Sequence, residues 1–110
     1  MLNTSQMRTL TITYRTELPD FEVIDPELQE LCVDYKNKKD MMQFVSNVCM
    51  RLVSLESLVL INSKLTTLPV EFNRLTNLKS LDLMQNKFLS VPECVMNMNL
   101  EYLGMQKNLL

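Results

Sequence analysis

The stretch Leu78-Lys79-Ser80-Leu81-Asp82-Leu83-Met84-Gln85-Asn86-Lys87-Phe88 decides how this chain is read. It follows the pattern L-x-x-L-x-L-x-x-N-x-L, with Phe88 in the last apolar slot. The same frame returns at Leu55 to Leu65, carrying Leu58, Leu60 and Ser63, and at Leu100 to Leu110, carrying Leu103, Met105 and Asn108. Successive starts stand 23 and 22 residues apart. Self-similarity at a fixed period of this size marks stacked supersecondary units.

Two weaker copies precede these three. Met7-Arg8-Thr9-Leu10-Thr11-Ile12 is apolar in its first, fourth and sixth slots, but Arg15 stands in the Asn slot. Leu28-Gln29-Glu30-Leu31-Cys32-Val33 begins 21 residues later, with Lys36 in that slot and Asn37 one place on. Five copies, at starts 7, 28, 55, 78 and 100, therefore cover nearly all of the 110 residues. They form one domain over 1–110, with diverged copies in 7–54, regular ones in 55–110 and the last incomplete.

Between starts 28 and 55 the spacing grows to 27, and the added residues read as a helix. Apolar residues recur at three and four through Met41, Phe44, Val45, Val48 and Leu52, which predicts an amphipathic helix over 40–52 on the convex side. Asp40 suits its N-cap; a packed irregular loop is the alternative. The other return segments are shorter. Leu68-Pro69-Val70-Glu71-Phe72 and Val91-Pro92-Glu93-Cys94-Val95 align class by class. Proline fixes φ and withholds a donor, so each segment is expected to open a short helical or 3₁₀ turn. Leu18-Pro19-Asp20-Phe21 is the equivalent in the first copy, and Pro26 biases Asp25 toward an extended conformation.

A period of 22 to 23 closes one coil: strand, turn, return segment, turn. The aliphatic slots point inward and stack on those of the next coil, so stability is shared between neighbours. Truncating Leu58, Leu60, Leu81 or Leu83 to Ala is then expected to cost roughly 2–5 kcal/mol. The Asn slot has a separate cause. Where the chain leaves the strand, backbone groups would be stranded inside, and a side-chain amide with donors and an acceptor satisfies them. Asn86 and Asn108 fit that role; Ser63 does part of it, with Asn62 as a substitute by register shift. Arg15 and Lys36 cannot be buried there cheaply, so the first two copies should be the less regular.

Taken together, residues 55–110 resemble a leucine-rich-repeat protein, and residues 7–54 resemble diverged copies of the same unit. The return segment Leu68-Pro69-x-x-Phe72-x-x-Leu75-x-Asn77-Leu78 is similar to the intracellular signalling-scaffold style of repeat. The resemblance implies an α/β solenoid: right-handed coils, a concave parallel sheet of about five strands, and a convex side of short helices and 3₁₀ turns. It also implies a protein partner bound on the concave face.

In that pattern the strand residues between the leucines form outward rows. One reads Thr9, Glu30, Ser57, Ser80, Tyr102; the next Thr11, Cys32, Val59, Asp82, Gly104; the third Thr13, Asp34, Ile61, Met84, Gln106, with Tyr14, Tyr35, Asn62, Gln85 and Lys107 beside it. All three tyrosines fall here, and tyrosine presents a large area with a polar tip. Val59, Ile61 and Met84 make an apolar anchor flanked by Asp82 and Lys107. Tyr35, Val59, Ile61, Asp82, Met84, Tyr102 and Gln106 are accordingly the expected contact residues, although strand propensity alone also favours Val, Ile and Tyr.

Composition narrows the function. A net charge of −2 argues against a broad electrostatic footprint for nucleic acid or anionic lipid. No apolar window is long enough for a membrane span, and the first residues lack a basic region followed by an apolar one; the expectation is a cytoplasmic protein. With no His, no Gly-rich phosphate loop and no nucleophile motif, neither an enzyme nor a metal or other cofactor is expected. Three scattered cysteines read as reduced thiols. Residues 17–34 carry seven acidic side chains and no basic one, a solvated rim or an acidic docking face.

The reading is thus a non-catalytic protein-interaction module in intracellular signalling. The alternatives are a regulatory repeat segment of a larger phosphatase or kinase, and a bacterial-type effector or receptor fragment. The strand edge at the last copy is expected to be covered by a longer polypeptide or by self-association.

Overall fold

The structure, a computed structural model, describes residues 8–13, 18, 24–36 and 38–110, the side chain of Lys38 excepted. Five strands form one wholly parallel sheet whose spatial order is the chain order: β1 (Thr9–Ile12), β2 (Glu30–Asp34), β3 (Ser57–Ile61), β4 (Ser80–Asp82) and β5 (Tyr102–Gly104). Parallel neighbours need a crossover between them. Here the crossovers carry α1 (Lys38–Arg51) after β2, a 3₁₀ turn (Val70–Arg74) after β3 and α2 (Glu93–Met96) after β4. The result is an α/β architecture with little helix.

The register is the one that the spacing of the leucines demands. Leu10, Leu31, Leu58, Leu81 and Leu103 are successive partners across all four pairings. Ile12, Val33 and Leu60 form a second aligned row. Alternation along a strand sends these side chains to one face, and in β2 and β3 they are buried while their neighbours are half-exposed or, at Glu30, exposed. Leu58, Leu60, Leu81 and Leu83 are wholly buried.

The helix and turn close that core. In α1, Met41, Phe44, Val45, Val48 and Cys49 are buried, and Leu52 just past its end is buried too, so the expected apolar stripe is the packed one. The helix begins at Lys38, two residues ahead of the expected start, and Asp40 lies in its first turn rather than at the N-cap. A carboxylate there still favours the positive end of the helix. The helix lies against the 3₁₀ turn, from which Phe72 enters the core. Pro69 and Pro92 each occupy the N-cap, one place ahead of the turn they open. Their carbonyls accept from Phe72 N and Val95 N at 3.0 and 3.1 Å, closing the first turn in each case.

Strand exits show how the polar slot works. Asn86, 5% exposed, accepts at Oδ1 from Ser63 N and Leu65 N, both at 3.1 Å, and donates through Nδ2 to Leu60 O at 2.7 Å and Leu83 O at 3.0 Å. It thereby joins its own strand exit to that of the preceding strand. Asn108 repeats the device one rung on, accepting from Phe88 N and donating to Leu83 O and Met105 O. The hydroxyl of Ser63, fully buried, donates to Ile61 O at 2.9 Å. Asn62 does not take over the slot: its backbone is left-handed (φ 55°) and its amide turns out to Asp34 Oδ1 at 3.4 Å. Lys36 is exposed, as a lysine in such a slot must be. Irregularity does not reach β1 and β2, which pair in full register. Tyr14 and Arg15, Pro19 to Phe21, and Asn37 lie outside the described residues. No buried side-chain nitrogen or oxygen among the described residues lacks a hydrogen-bond partner.

Candidate protein-binding face

Strand alternation puts the non-leucine positions on the sheet face away from the buried row, and the register converts their sequence spacing into contact. Glu30, Ser57, Ser80 and Tyr102 are successive partners; so are Cys32, Val59, Asp82 and Gly104. Asp34 stands beside Ile61. Beyond the strand ends the rungs continue through Asn62 N donating to Met84 O at 3.3 Å and Gln85 N to Gln106 O at 3.0 Å. Val59, Ile61 and Met84 are therefore neighbours on two adjacent rungs, all half-buried, with Asp82 between them and β5.

The other expected contact residues divide. Tyr102 (47% exposed) and Gln106 are open on the last rung. Tyr35, at the end of β2, is half-buried and packs against the core, so only part of it is available to a partner.

Each carboxylate on this face has a fixed partner. Glu30 Oε1 accepts from Thr9 Oγ1 at 2.9 Å, Asp34 Oδ1 from Asn62, and Asp82 Oδ1 from Met84 N at 3.0 Å. Cys32 sits among them: burial, and then the charges of Asp34 and Asp82, push its thiol up from the usual value. Burial likewise raises the Cys94 thiol and drives that of Cys49 up to about 12, with Glu71 adding to the latter. All three sulfurs are free thiols held in the neutral form, the less nucleophilic one.

Two features of this face carried no signal in the repeat frame. Gly104, the one glycine of the chain, is buried, and a Cβ there would stand 2.6 Å from Asp82 Oδ1 and 2.9 Å from Tyr102 Oη. Glycine is what allows Asp82 to turn back onto Met84 N and Tyr102 to lie over the strand. The second feature is a division of charge between the two ends of the sheet. At the strand entrances Glu27, Glu56 and Glu101 border an open cleft of about 500 Å³, with Lys79 reaching Glu56 at 3.8 Å. At the strand exits Lys36, Lys64, Lys87 and Lys107 border another, of about 440 Å³. Of these four, only Lys36, in the Asn slot, and Lys107, beside the apolar anchor, stand at positions that the repeat spacing marks.

Among the described residues no three His, Cys, Asp or Glu side chains are grouped to hold a metal ion, and no helix is long and apolar enough to cross a membrane. Comparison of the chain with protein-family models, with curated proteins and with solved structures found no match.

Proposed function

We propose that the chain is a leucine-rich-repeat solenoid that serves as a protein-interaction module in cytoplasmic signalling, with no catalytic role. Its partner lies across the outward, concave face of the sheet. The observation that carries the reading is the Val59–Ile61–Met84 group: three apolar side chains, half-exposed on adjacent rungs, ringed by Asp82, Asp34 and the amides of Asn62 and Gln106. A small apolar centre with a polar surround is the usual anatomy of a protein interface, and Tyr102 beside it adds an aromatic of the kind enriched at hot spots. Because the supporting strands are tied rung to rung by Asn86 and Asn108, the face is presented with little entropy left to lose on binding.

The test is the pair Ile61→Asp and Met84→Asp, both at half-exposed positions outside the buried leucine rows. Partners recovered by affinity capture with the parent chain and identified by mass spectrometry should be lost with the double variant, at unchanged circular dichroism. Recovery of the same partners in the same amount removes this face from the account.

A further inference from the structure

We propose that the cleft at the strand exits is a binding site for a small polyphosphate, held as a row of phosphates by Lys36, Lys64, Lys87 and Lys107. The site adjoins the sheet-face group at Asn62 but does not depend on it.

Its first support is topological. In a parallel sheet all strands end at the same edge, and these lysines come one from each of four consecutive exits, after β2, β3, β4 and β5. Adjacent strands stand about 4.8 Å apart, so the row is roughly 15 Å long. That is too long for one phosphate and fits a chain of several. Lysine ammonium groups act as mobile point charges toward phosphate.

The second support is electrostatic. The chain carries a net −2, with 11 basic residues in all, yet four of those border one cleft. Among the described residues no carboxylate lines it, and none forms an ion pair with any of the four. Asp34 accepts from Asn62 at the rim, at 3.4 Å. Like charges gathered without counter-charges repel, and a bound polyanion removes that penalty. Among the described residues no aromatic side chain lines the cleft either, so they offer a nucleobase nothing to stack on; the chemistry selects bare phosphates.

The backbone gives the third. The described residues with positive φ are Asn62, Lys64, Gln85 and Lys107, at 55–60°, and all four border this cleft. Left-handed backbone favours Gly or Asn and disfavours a long side chain. Two of these positions nevertheless hold Lys. Strain of this sort gathers at binding sites, and here it is borne by two of the very side chains that carry the charge.

Calorimetric titration of the 110-residue chain with sodium tripolyphosphate at low salt is the test. Saturable binding is expected, weakening steeply as salt rises, with sulfate and inorganic phosphate at equal ionic strength binding at least about tenfold more weakly. Lys64→Asn with Lys107→Asn should fold at least as well as the parent, since Asn relieves the strain, and should lose about tenfold or more in affinity, a change of roughly 1.4 kcal/mol. Lys36→Gln with Lys87→Gln, at positions without that strain, should lose as much, while Lys79→Gln, which removes one charge elsewhere, should lose nothing. Co-sedimentation with phosphatidylcholine vesicles carrying phosphoinositides identifies the source: capture places the phosphates on a lipid headgroup, and tripolyphosphate binding without capture places them on a soluble molecule. Tripolyphosphate binding no better than sulfate, or indifferent to both paired substitutions, overturns the proposal.

Discussion

Replacing Asn86 by Ala probes the join between strand exits most directly. The amide makes two accepting bonds, from Ser63 N and Leu65 N, and donates to Leu60 O, Leu83 O and Met84 O, at 2.7–3.3 Å with the side chain 5% exposed. Truncation strands the two N–H groups and Leu60 O, while Leu83 O keeps the Asn108 amide and Met84 O keeps Asn62 N. Each buried orphan costs about 1–3 kcal/mol. Water entering the space left by the amide recovers part of this, so the low end of the sum over the three groups, about 3 kcal/mol, is the expected loss. Against a total stability of roughly 5–15 kcal/mol that is a large fraction. Asn108, half-buried at the last rung, has one accepting bond and ready access to solvent; Asn108→Ala should cost about 1–2 kcal/mol. Urea unfolding at unchanged m measures both, and amide exchange should quicken first at Ser63 and Leu65 in the Asn86 variant. An Asn86→Ala loss under about 1 kcal/mol, or a larger loss at Asn108, refutes the claim that this amide is what joins the rungs.

Other expectations follow from the same packing. Leu81→Ala, at a wholly buried position, should cost about 2–5 kcal/mol, whereas Leu103→Ala in the same row, 36% exposed on the edge strand, should cost well under half as much by thermal unfolding. Gly104→Ala forces a Cβ to 2.6 Å from Asp82 Oδ1 and should destabilise by about 1–3 kcal/mol; in an Asp82→Ala background most of that should vanish, and simple additivity would show the clash is not the cause. Cys49 titrates near 12 when folded and near 9 when unfolded, so its stabilising contribution is complete below pH 9 and is lost as pH rises toward 12. The unfolded state releases the proton first, and the slope is up to about 1.4 kcal/mol per pH unit. Cys49→Ala should flatten that alkaline limb of the stability profile, and an unchanged limb counts against it.

Much of the sheet could be read from residue spacing because a parallel ladder repeats one local decision. Leu58, Leu81 and Leu103 are 23 and 22 residues apart, and the register makes them partners. The helix was legible through Met41, Phe44, Val45, Val48 and Leu52, since a stripe at three and four has few other ways to be buried. Its start was not. Propensity and capping chemistry differ by little over Lys38 to Asp40, and with Lys39 and Asp40 exposed no burial marks the boundary. Tyr35 was read as available because of its place after β2, yet a tyrosine has enough apolar body to fold onto the core beside it. Left-handed backbone at Asn62, Lys64, Gln85 and Lys107 left almost no trace either, because only Asn62 is a residue type that advertises it. Gly104 carried a trace, as the single glycine of the chain, but its reason lies in Asp82 on the neighbouring strand.

Consecutive parallel order also explains why modest sequence biases become strong surface features. A slot occupied once per crossover contributes one side chain to a row whose members are about 4.8 Å apart. Glu27, Glu56 and Glu101 are scattered along the chain, yet they gather at the strand entrances; Lys36, Lys64, Lys87 and Lys107 are equally scattered, and gather at the exits. A net charge of −2 is therefore a poor guide to what any one edge presents. The outward face lies between the two rims, with its apolar centre at Val59, Ile61 and Met84. A ligand crossing the sheet along the strands would meet acid, then apolar surface, then base. A chain of complementary charge pattern can lie across it in one direction only, because reversal sets like charge against like at both ends.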